Sequence, residues 1–471
     1  MKSLIENRFS LLGLVLVALL ALYGVAFATQ PKAAAKPAPG PQKVPVVSVT
    51  AVCPDPAETD VGVITPPGGG GQGATTLLTG EKTLASLDTP GVLWHEKVPA
   101  KSGPLLVTSG GSMAAGLEAE QTRRETSGDQ RGLAGVRCVE PVASTWLVGP
   151  GPAAADVTLH LTNADAAPAI AEVMVYSGEG PVVSDSGGVL TLKPGESRTV
   201  KVKDLAPSPL VMALEVRTSS GRVAAAARAI MRGGRGVDWL PVSAAPATRV
   251  VVPGIPGGGG KRELFVASVG ESDTLVEVKA LTPDGTYALK GRELVEVPAG
   301  SVATLDLSTG IGGQPSALLL TSDTPIVAGL AATGTGAKGD VAFTAGAAPI
   351  DLGSVVADNR TGKKKNSRLL LTAPDAAGKV RVQVLPRKGG APEPFEVAVA
   401  GSRTKEVKLP EVDGAFAVVV LPLPGSGPVY GGRVMDERVK SGLLLTTQPL
   451  AAGRMWALVP PITESVAAVL P

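Results

Sequence analysis

The chain has two histidines and two cysteines in 471 residues, and its aromatic rings amount to 6 Phe, 4 Trp and 4 Tyr. Neither His95 nor His160 has a second His or Cys at ligand spacing, so the sequence offers no zinc site. So few rings exclude one large aromatic-rich core. Excess charge of one sign is missing too. The 44 Lys and Arg against 42 Asp and Glu leave +2, which gives no basic field for DNA or RNA. Catalytic signatures are absent: there is no G-x-S-x-G, no H-E-x-x-H and no EF-hand loop. Residues 334–339 (GTGAKG) spell G-x-G-x-x-G, but a strand pattern follows where a dinucleotide site needs a helix N-terminus. Residues 257–261 (GGGGK) run on to Arg262 instead of Ser or Thr, so they are not a phosphate loop. Both stretches read as loops, and no cofactor is implied.

What is present is Val, Leu and Ala, with 44% hydrophobic residues punctuated by 59 Gly and 41 Pro. That composition suits several small, flat cores. One apolar run, residues 9–28 (FSLLGLVLVALLALYGVAFA), follows Lys2 and Arg8 and is long enough to cross a bilayer. It reads as an uncleaved anchor, or as a signal peptide cleaved after the A-x-A-like Ala26-Phe27-Ala28. Either reading puts the rest of the chain outside the cytoplasm. Export gives the cysteines a meaning: Cys53 and Cys138 read as one structural disulfide, worth about 4 kcal/mol by loop closure.

A repeat of about 100 residues organises the remainder. Two strands joined by a small turn recur around Met113, Val223, Val327 and Val429, the last three 104 and 102 residues apart. A second marker, a glycine turn between strands, places Gly195, Gly300 and Gly401 at 105 and 101 residues. Opening strands recur near Val46, Trp146, Val250, Val355 and Trp456, five for four units. The fifth is expected to complete the fourth unit. Within units the period is two: Val157, Leu159 and Leu161 alternate with polar residues, and Asp284-Gly285 and Asp413-Gly414 read as turns.

The expected fold is all-β: tandem immunoglobulin-like or fibronectin-like sandwiches behind one N-terminal transmembrane helix, with a β-propeller as the alternative. The organisation reads as a short cytoplasmic N-terminus (1–8), an anchor or signal (9–28), a Pro/Ala/Lys linker (29–44) and β-domains at 45–144 (holding the disulfide), 145–247, 248–350 and 351–461. Residues 462–471 form a tail.

Arg360, Lys363, Lys364, Lys365 and Arg368 form a local basic cluster, read as a solvated loop or as a contact for an anionic envelope polymer or lipid headgroup. Trp146 and Trp456, in matching opening strands, read as packing residues. His160 is expected on the outward face of its strand.

The segments RGLAGVRCVEP (131–141), VTLHLTNAD (157–165), VRTSSGRVAAAARA (216–229), DWLPVSAAPATRVVVPGIP (238–256) and SVVADNR (354–360) resemble an uncharacterised family of actinobacterial exported or membrane-anchored proteins, catalogued as a domain of unknown function. The resemblance covers nearly all of the extracytoplasmic part. It implies a connection with cell-surface glycan and transfers no functional residue. The expected function is a non-catalytic envelope protein, single-pass in the cell membrane or secreted after cleavage. Its β-domains bind or position another surface component, an envelope glycan or a membrane protein. An accessory to a membrane glycosyltransferase is the second reading, and a carboxylate-dependent glycosidase the third.

Overall fold

The computed structural model describes residues 8–28, 42–68, 70–183, 188–311, 313–335 and 339–460. The chain divides into two units, 1–44 with 458–471, and 45–457. The first contains the apolar helix Arg8–Ala28, whose stretch Ser10–Ala28 is long and apolar enough to span a bilayer. This fits either an anchor or a signal peptide. Strands Gln42–Pro45 and Trp456–Val459 pair with each other.

The second unit is nearly all strand, arranged as four antiparallel sandwiches. Each starts from alternation: in Ala155–Thr162, Val157, Leu159 and Leu161 are buried while Asp156 is exposed, and Thr274–Thr282 repeats this with Val276, Val278 and Ala280. Numbered within a sandwich, the strands form one sheet in the order 1-6-3-4 and a second in the order 5-2-7-8 in all four, with the fourth strand split in two in the second and third sandwiches and the short Val242–Ser243 added beside the first strand of the second. In the third, strands six and seven are one continuous strand, Ser316–Thr333, which joins both sheets into one. Met113, Val223 and Val429 all sit at the junction between strands six and seven, and Val327 lies inside the continuous strand at the same point.

Each sandwich has an opening strand (Ser48–Cys53, Ser144–Pro150, Ala247–Ile255, Ser354–Arg360) and a closing strand (Gly132–Arg137, Val237–Leu240, Val341–Ala345, Gly442–Pro449). The closing strands pack first on second, second on third, third on fourth and fourth on first, so the four sandwiches close into a ring. Cys53 and Cys138 are bonded and tie the opening strand of the first sandwich to the end of its closing strand.

The fifth opening motif departs from expectation. Trp456–Val459 pairs with Gln42–Pro45 and does not complete the fourth sandwich, which closes on its own Gly442–Pro449. Trp456 is accordingly 45% exposed, whereas Trp146 is buried against Tyr176.

Candidate functional site

The ring is held at its centre by two carboxylates that no motif announces. Asp340, at the start of the third closing strand, accepts backbone N–H groups from Leu133 (2.9 Å), Leu445 (2.9 Å), Val341 (2.9 Å) and Val237 (3.4 Å). Those donors come from all four sandwiches. Asp238 accepts from Gly135 N and Trp239 N and from the Thr446 hydroxyl, joining sandwiches one, two and four. Burial pushes the Asp340 carboxyl up to about 6 against the pull of its four donors. Burial likewise raises Asp238 well above the carboxylate range, with Asp340 nearby adding to the rise.

Around this hub, three of the four seams share one construction. The opening strand of one sandwich lies on the 5-2-7-8 sheet of the next: second on third, third on fourth, fourth on first. Backbone approaches this close require glycine. A Cβ on Gly329 would stand 2.6 Å from the Val148 carbonyl oxygen, and one on Gly62 would stand 2.7 Å from that of Ala357. Gly432 meets Gly254 in the same way.

Register shows the position to be equivalent in each unit: Gly329 is opposite Phe265, Gly432 opposite Leu370 and Gly62 opposite Glu120. In the second sandwich the matching pair is His160 and Ala226, so both members carry a side chain. Trp239, from the closing strand of the same sandwich, lies against His160 with ring centroids 5.3 Å apart and the planes tilted by 51°. Among the described residues, Ser48–Cys53 does not lie on the second sandwich as the other opening strands lie on their neighbours. The seam between the first and second sandwiches therefore stands open.

A cavity of about 310 Å³ occupies that seam and reaches the place where residues 346–348 and 449–452 leave their closing strands. Its walls are mostly apolar, with Val49 and Ala51 on one side, Ala226 and Trp239 on the other and Ala347 and Leu450 at the converging connections. The charged residues among them are paired. Glu118 lies 2.8 Å from Arg137, and Glu140 pairs with Arg454. Burial raises Glu118 well above its ordinary value, with Arg137 opposing, and raises Glu140 against Arg454. Ser243, buried in the same wall, has a hydroxyl without a hydrogen-bond partner.

The residues singled out from sequence fall mostly elsewhere. The basic cluster divides. Lys363, Lys364 and Lys365 are exposed, but Arg360 is half-buried between Asp358 (3.1 Å) and Asp60 (2.9 Å), and Arg368 pairs with Asp436. Arg360 and Arg368 are therefore removed from the anionic-polymer surface, because each neutralises a carboxylate brought to it by the fold. Burial alone would raise the Asp358 carboxyl, but Arg360 and His95 (3.2 Å) outweigh it and hold the group well below the usual range. His95 is thus buried at the seam between the first and fourth sandwiches. His160 points away from its own core but is covered by Trp239, and burial lowers its pKa. Residues 257–261 are loop. Positions 336–338 of the GTGAKG stretch lie outside the described residues, as does the tail 462–471.

Glu118, Glu140, Asp238, Asp340 and Ala226 went unnoticed in the sequence. Spacing carried part of the signal: Asp340 follows Asp238 by 102 residues, and Ala226, Gly329 and Gly432 are 103 apart.

A family model described as a family of unknown function (DUF5719) matches residues 94–410. The chain belongs to this family. The matched stretch includes the Ala226 and Trp239 side of the open seam, the hub carboxylates and three of the four closing strands, while Val49 and Ala51 on the other side precede it. Comparison with curated proteins returns no match.

Proposed function

We propose that this member of the family is a non-catalytic, membrane-anchored envelope protein whose extracytoplasmic ring binds and positions another surface component at the open seam. The observation that carries the reading is the broken pattern of the ring: three seams are sealed through glycine, and the fourth keeps a 310 Å³ apolar cavity. The disulfide and the apolar N-terminal helix support an oxidising location and a tether. The carboxylates in the cavity wall are each matched to an arginine, which suits a fixed binding surface better than a proton donor.

The test is photo-crosslinking in cells producing the full chain, with a photoreactive residue at exposed Ala348 on the cavity mouth and, separately, at exposed Lys388 on the outer surface. A discrete adduct from position 348 that is absent from 388 is the expected result. No adduct from 348, or the same adducts from both, would overturn the reading. An adduct containing a glycosyltransferase selects the accessory role within it. The glycosidase alternative has one observation on its side, the raised Glu118 and Glu140 in one cavity. Hydrolysis of envelope glycan that disappears in both E118Q and E140Q would select it.

A further inference from the structure

We infer that the open seam takes a single hydrocarbon chain of a membrane amphiphile, its acyl or isoprenoid tail lying in the cavity and its polar end outside. The inference rests on the tethered-binding reading and names the chemistry of what is bound.

Three observations point to a chain of this kind. The volume, about 310 Å³, is about twice that of a 150 Å³ apolar cavity able to hold benzene, which suits a slim ligand of moderate length. The walls offer apolar surface with no net charge, because Glu118 with Arg137 and Glu140 with Arg454 cancel in pairs. A charged headgroup finds no excess of opposite sign there, so recognition falls to the apolar part. The Ser243 hydroxyl, lacking a partner, supplies one donor for a carbonyl at the head of an acyl chain.

The route of the polypeptide supplies the source. Val49 and Ala51 in the cavity wall lie directly after Val46, where the chain enters the ring, and Val46 N donates to Met455 O at 3.4 Å, next to Arg454. From Ala28 to Val46 the fully extended chain reaches at most about 60 Å. An anchored ring is thereby kept among membrane amphiphiles at high effective concentration. The ligand then needs only modest intrinsic affinity, at about 0.8 kcal/mol for each methylene buried.

The full chain is reconstituted in phospholipid vesicles containing a diazirine-labelled fatty acid, irradiated and digested, and the labelled peptides are mapped by mass spectrometry. Residues 8–28 label in any case and serve as the internal reference. The expected result is a second labelled set covering 225–244 and 449–454. In A348W at the cavity mouth, and in A226F inside the seam, that set falls about tenfold relative to the helix, the effect of displacing about two methylenes. Labelling confined to the helix overturns the inference, as does seam labelling that survives in A348W. A348W changes an exposed position, so its result does not depend on a buried substitution being tolerated. Should the seam fail to label while position 348 still gives its cellular adduct, the ligand class is wrong and the binding reading stands.

Discussion

Asp340 is buried at the centre of the ring as an acid whose pKa rises from 3.8 to about 6, so its charge opposes folding at neutral pH. Such a rise corresponds to about 3 kcal/mol over the full titration. The folded state binds the proton more tightly than the unfolded state, so this contribution is adverse above pH 6 and is relieved as pH falls toward 3.8. Between pH 8 and pH 4.5 about 2 kcal/mol of it is recovered. D340N removes the titration. Its amide oxygen still accepts from Leu133 and Leu445, but its NH₂ faces the N–H groups of Val341 and Val237, a pH-independent loss of about 1 to 3 kcal/mol. Urea unfolding of both proteins across this range isolates the effect. The stability of the natural chain relative to D340N is expected to improve by about 2 kcal/mol on going from pH 8 to pH 4.5. A difference that stays flat to within about 0.5 kcal/mol across that range would refute the reasoning, because a carboxylate satisfied by its four donors without a burial penalty has no reason to titrate near 6.

The seams give a second prediction. G329V and G432V should each lower stability by about 1 to 3 kcal/mol through overpacking, while A226V, at the equivalent position beside the cavity, should cost under about 1 kcal/mol in the same urea assay. Equal costs at all three positions would sink the distinction between sealed and open seams. The divided basic cluster gives a third: R360A strands the fully buried Asp358 and should cost about 3 to 5 kcal/mol, whereas K364A should stay within about 0.5 kcal/mol. Thermal or urea midpoints of the two variants check this, and similar midpoints would contradict the buried pairing.

Legibility in the sequence tracked the range of the interaction. Alternation in 155–162, the turns at Gly195 and Gly300 with their left-handed backbone, and the apolar run 9–28 are local and were readable directly. The 100-residue period was readable because each unit restates the same strands. The ring was not. Arg360 looks like one of five clustered cations until Asp60, 300 residues away, is folded onto it. Trp456 looks like Trp146 because the letters around it repeat, but its strand partner is Gln42–Pro45 and not a sixth strand of its own sandwich. Asp238 and Asp340 needed the closing strands of other sandwiches before their acceptor role had any meaning.

A ring built from four equal parts would present four interchangeable faces and bind, if at all, in multiples. Placing Ala226 and His160 where its neighbours have glycine makes one seam of this ring unlike the other three. On the binding reading proposed above, a titration is expected to show one molecule bound per polypeptide, without cooperativity. The other three seams, closed through glycine, hold that odd seam in a fixed direction relative to the point where the chain enters the ring.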